Sequence, residues 1–142
     1  MLRWKDIVLL FIFILLPSLP AHAKDFGCQK AKSELDCVIK FRTVIYQKNP
    51  EYFWKVLYKA RDHARICNSA KKTSQFLGLV RISNTPIELQ EFLSEEFETL
   101  CAENPICFKK AKNLLDSKLQ VKLNKSLNNP LFRDIDELNI CR

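Results

Sequence analysis

Six cysteines carry most of the covalent chemistry open to this sequence: Cys28, Cys37, Cys67, Cys101, Cys107 and Cys141. Thiols can oxidise to disulfides, attack an acyl carbon as thiolates, or hold zinc when their spacing allows. The metal reading fails on spacing, because there is no Cys-x-x-Cys and His63 is the only histidine behind residue 23. The nucleophile reading fails on company. A Cys–His or Ser–His–Asp site would have to use His63, whose neighbours Arg61, Asp62 and Arg65 make a charged helix surface. Asp62 is adjacent in sequence, and adjacent helical residues point apart. Carboxylate pairs for sugar cleavage can be drawn from Glu51, Asp62 or the glutamates after residue 87, but no spacing singles one out. Glycine-rich phosphate loops, G-x-S-x-G and H-E-x-x-H are absent. No catalytic residue, metal or cofactor is expected, so all six cysteines are expected in disulfides.

Three further groups bear on binding. Trp54 and Tyr58 lie one helical turn apart beside Arg61, within an aromatic group that includes Tyr46, Tyr52 and Phe53. Tyr, Trp and Arg are the residues that dominate protein-binding hot spots. Lys118, Lys122 and Lys125 fall on one helix face within the basic stretch 109–125, with Leu114, Leu115, Leu119, Leu123 and Leu127 opposite. Such a segment can rest on an anionic surface. Aromatics are not interleaved there, so nucleic acid is not the expected partner. Glu88, Glu91, Glu95 and Glu98 form an acidic stripe, which is expected to pack beside basic helices of the same fold, with Arg61 or Arg65 as counter-charges.

Residues 1–23 read as a signal peptide. Arg3 and Lys5 precede the apolar run 7–16, Pro17 and Pro20 break it, and Ala21-His22-Ala23 fits small-residue cleavage. The run falls short of the roughly 20 apolar residues of a membrane span. Residues 24–142 are expected to form a single exported domain, periplasmic or extracellular, where thiols pair. Without the leader's Arg3, Lys5 and Asp6, 21 Lys and Arg stand against 15 Asp and Glu. Segment 85–104 holds six glutamates and no basic residue, so the surplus of positive charge lies elsewhere.

The elements that must position these groups are helical. Apolar residues recur at helical spacing, and the chain has only Gly27 and Gly78. Asn49-Pro50, Thr85-Pro86, Asn104-Pro105 and Asn129-Pro130 each place a capping residue before proline. Thr85 with Glu88 also forms a capping box. The expected fold is all-α, a compact bundle of about six short helices. They cover about 28–48, 50–67, 74–82 and 86–102, one from 105 that continues or breaks near Asp116-Ser117, and a last one between 130 and 141. Cys37 to Cys67 and Cys107 to Cys141 also parallel each other as cysteine, helix, Asn-Pro, helix, cysteine, a pattern that two stacked hairpin units would produce.

Three cysteines lie in each half, and an odd number cannot pair within itself. At least one bridge must therefore join the halves. In an antiparallel hairpin Cys67 falls level with Cys28, which favours Cys28–Cys67. Cys101–Cys107 across a tight turn and Cys37–Cys141 complete that set.

The run Phe26-Gly27-Cys28-Gln29-Lys30-Ala31-Lys32-Ser33-Glu34, then Cys37, Trp54, Arg61-Asp62 and Cys67, resembles small secreted lysozyme-inhibitor proteins. The intervals differ, and the stretch to Cys141 has no counterpart. No site residue is carried over. The expected function is binding of a macromolecular partner, in the manner of an inhibitor, immunity protein or secreted effector, without catalysis. The second expectation is an anionic membrane surface or lipid, bound through 109–125.

Overall fold

The computed structural model describes residues 26–82 and 86–142. The expected signal peptide and the Thr85 end of the capping box lie outside the described residues. Among those described, the chain is all-helical: α1 (Glu34–Lys40), α2 (Arg42–Lys48), α3 (Pro50–Ile66), α4 (Ala70–Leu77), α5 (Ile87–Glu103), α6 (Pro105–Lys112), α7 (Ser117–Leu127) and α8 (Ile135–Leu138). Three 3₁₀ turns, Cys28–Lys30, Gly78–Ile82 and Asn139–Cys141, join or end them.

Local chemistry sets most of the starts. The Asn49 side chain accepts the Tyr52 N–H at 3.0 Å, and that of Asn104 accepts the Cys107 N–H at 3.2 Å, each with proline at the helix start. Ser69 caps α4 through the Lys72 N–H, so that helix begins at Ala70 rather than 74. Asp116 caps α7 through the Leu119 N–H and fixes the break after α6.

α4 packs between α3 and α6, while α5 touches α3, α6, α7 and α8. Phe53, Phe76, Phe97 and Phe108 fill the space among them and are fully buried. The expected apolar faces are where the core is, with Leu57, Leu77, Leu89, Leu93, Leu123 and Leu127 inside, except that Leu114, in the turn after α6, faces solvent.

Two further elements differ from expectation. The first helix does not run unbroken from residue 28 to 48. Residues nine apart would lie about 13.5 Å apart along one helix, yet the Cys28 and Cys37 Cα atoms are 5.4 Å apart and bridged. The chain meets that need by turning at Ala31 and restarting at Ser33, whose hydroxyl accepts the Asp36 N–H. A second interruption falls at Phe41, between α1 and α2. Asn129-Pro130 likewise starts no helix. The next three amides are taken by the Glu98 carboxylate, and α8 waits until Ile135.

The cysteines pair as Cys28–Cys37, Cys67–Cys107 and Cys101–Cys141, and none of the six is free. One bridge does join the two halves, as parity requires, but the pairs differ from the expected set. Cys67 ends α3 in the left-handed region, at φ 51°, and bonds to α6 rather than to Cys28. Cys101 and Cys107 flank one turn yet face different neighbours. The Cys101 sulfur lies 3.8 Å from the Leu138 carbonyl, and that of Cys107 lies 3.8 Å from the Thr73 hydroxyl. The two half-units are also unequal in shape: α3 has 17 residues and its counterpart α8 has 4.

Three disulfides fit an oxidising compartment outside the cytosol. Among the described residues no helix is long and apolar enough to cross a membrane.

Candidate functional site

α3 presents Trp54 and Tyr58 to Phe92 of α5. Trp54 stacks on Tyr58 at 5.8 Å between centroids, and both meet the Phe92 ring edge-on at 5.5 Å. Tyr46 and Phe53 close the inner side of Trp54 at 6.4 and 5.4 Å. Trp54 is therefore partly buried packing rather than a free anchor. Tyr58 is its outer neighbour and stays 43% exposed. The Arg61 guanidinium carbon sits 4.9 Å from the Tyr58 ring centre, a cation–π distance. The structure thus brings the expected Trp54, Tyr58 and Arg61 together.

Charge is fixed beneath them. Glu96 of α5 is buried and accepts two hydrogen bonds from Arg65, at 2.9 and 3.0 Å, with Arg61 at 3.8 Å. Burial pushes the Glu96 carboxyl above the ordinary glutamate value, outweighing the hydrogen bonds to Arg65 and the charges of Arg65 and Arg61. The expected pairing of the acidic helix with Arg61 and Arg65 is present, at Glu96 rather than at the outer glutamates.

The basic residues form a separate group. Lys118, Lys122 and Lys125 are exposed on α7, and the last two line a cleft with Gln90 and Ser94 of α5. Residues two apart on a helix diverge by about 200°. Phe92 and Gln90 therefore look to opposite flanks of α5, and the two expected binding groups do not meet. Val121, 67% exposed, shares the lysine face. Lys112 is instead buried, donating from Nζ to Asn124 Oδ1 and the Cys141 carbonyl. Burial, with Lys109 adding to it, lowers its pKa.

His63 lines a cleft of about 190 Å³ with Lys59, Lys72 and Leu35. Ser33 there caps α1, and Glu34 pairs with Lys59 at 3.3 Å. Among the described residues no group of three or more His, Cys, Asp or Glu is placed to hold a metal ion.

Three residues at the α5–α8 edge escape sequence reasoning. Glu98 belongs to the acidic stripe by spacing but is buried, 2% exposed, under the loop at 131–133. Leu131 and Phe132 stand out from that loop, 56% and 51% exposed. The Leu-Phe pair after Asn129-Pro130 was the one available signal, and it reads equally well as the start of a buried helix.

No protein-family model, curated protein or solved structure matches the chain. The resemblance of its first half to lysozyme inhibitors therefore carries no family assignment.

Proposed function

We propose that this protein is a small exported scaffold that acts by binding another protein, not by catalysis. The observation that carries the reading is Tyr58. It stays 43% exposed while Trp54, Phe92 and Arg61 hold its ring on several sides. A fixed aromatic ring beside a guanidinium loses little side-chain entropy on binding, which is what an interface anchor needs. The test is capture from the extracytoplasmic fraction of the source organism at physiological salt. A specific partner should be retained by the wild type and lost with Tyr58→Ala/Arg61→Ala. Capture of nothing, or of the same proteins by both, overturns the reading.

The exposure of Val121 among Lys118, Lys122 and Lys125 favours a second reading, an anionic membrane surface or lipid. Flotation with vesicles of anionic lipid, lost when the three lysines become Glu, would support it. Equal flotation of the triple variant would end it.

A further inference from the structure

Glu98 joins α5 to the C-terminal loop through three charge-assisted hydrogen bonds. Its Oε1 accepts the Leu131 N–H at 2.8 Å, and its Oε2 accepts those of Phe132 and Arg133 at 2.9 and 2.8 Å. A buried carboxylate is costly unless such bonds compensate it, and three converging amides do so. These bonds read only the backbone, so they hold the loop whatever side chains it carries. The side chains it carries are large and apolar. Leu131 and Phe132 face water, and Ile135 follows at 44% exposed. A backbone fixed from below with apolar side chains turned outward is a preorganised anchor.

The surroundings say what kind of surface would cover it. The groove beside the loop is lined by Glu95, Asp134 and Glu137 together with Phe132 and Arg133. Arg133 is held within the fold, 3.5 Å from Glu137 and 3.9 Å from Glu103. On the Phe132 side the rim of this patch is therefore acidic, on a chain that is basic as a whole, while on its other side Leu131 borders the cleft of Lys122 and Lys125. We infer that the loop at 131–135 is a docking surface for a protein that offers an apolar pocket whose edge against Glu95, Asp134 and Glu137 carries lysine or arginine. This rests on the reading that the protein works by binding another protein, and adds a second surface and the partner's chemistry. An anionic lipid surface would meet like charge at Glu95, Asp134 and Glu137.

The probe is a labelled synthetic helical peptide with leucine along one face and lysine along the other, titrated into the disulfide-bonded protein and followed by anisotropy. Its glutamate-for-lysine counterpart is the control. The lysine peptide should bind and the glutamate peptide should not. Leu131→Ser/Phe132→Ser should weaken binding about tenfold or more, as loss of an interface anchor does, with thermal unfolding unchanged. Tyr58→Ala/Arg61→Ala should bind the peptide as the wild type does. Glu98→Gln should speed amide exchange at 131–133 and weaken binding with both anchors still present; if that variant does not fold, the loop double variant decides. No binding, equal binding of the two peptides, or binding indifferent to Leu131 and Phe132 overturns the inference. None of these outcomes bears on the capture experiment at Tyr58, so the two readings fail separately.

Discussion

The pair Arg65–Glu96 shows how one residue's surroundings decide a measurable property. Glu96 is buried, yet the Arg65 side chain is 43% exposed, so solvent screens the pair from one side. The folded state holds the Glu96 proton more tightly than the unfolded chain does. The resulting stability is fully present below the ordinary value of 4.5 and is lost as the pH rises through the raised folded value. Arg65→Ala removes the two largest influences that pull this pKa down and leaves a buried carboxylate with Arg61 at 3.8 Å. The expected loss is about 1–2 kcal/mol at pH 7, below the 3–5 kcal/mol of a fully buried broken pair because of the screening. Near pH 4, where Glu96 is protonated with or without its partner, the loss should shrink towards zero. Urea unfolding of both proteins at the two pH values checks this, and an equal loss at both would contradict it.

At the scale of elements, three Asn-Pro dipeptides that look alike in sequence have different roles. Asn49 and Asn104 each cap a helix that begins at the following proline. Asn129 donates from its side chain to the Lys125 carbonyl, and its proline opens a loop. Asn49→Ala and Asn104→Ala should each cost about 1 kcal/mol, the usual worth of an N-cap. Asn129→Ala should cost under about 0.5 kcal/mol, as surface changes do. Denaturant midpoints of the three variants separate the roles. The same contrast shows how far the elements were legible. Helix class, the apolar faces and the starts at Pro50 and Pro105 followed from periodicity and capping, which are local. The Trp54, Tyr58 and Arg61 cluster was legible for the same reason, since i, i+4 and i+7 share a face. The loop at 131–133 was not. Its conformation is decided by Glu98, 33 to 35 residues away, and spacing along one chain does not register an acceptor that arrives from another helix.

For the whole molecule the deciding feature is which segments are covalently joined. The spans are 9 residues for Cys28–Cys37 and 40 for each of Cys67–Cys107 and Cys101–Cys141. In the chain-entropy account, removing a 40-residue bridge costs about 1.3 kcal/mol more than removing the 9-residue one. The last two bridges interleave, so the turn between α5 and α6 is braced from both sides, one brace reaching the end of α3 and the other the C-terminus. Trypsin makes this visible. A single cut at Lys71 or Lys72 leaves its two fragments joined by Cys67–Cys107, and one at Lys118 leaves them joined by Cys101–Cys141. A single cut at Lys48 or Lys55 separates the fragments even without reductant, because Cys28–Cys37 lies wholly on one side. The alternative set Cys28–Cys67, Cys37–Cys141 and Cys101–Cys107 would hold the fragments together after that same cut. Denaturing gels of briefly digested protein, run with and without reductant, should therefore show fragments split at Lys48 or Lys55 in both lanes, and those split at Lys71 or Lys118 only in the reduced one. Fragments cut at Lys48 that stay joined until reduction would mean that the first helical hairpin is stapled to the rest of the molecule, and the described pairing would fall.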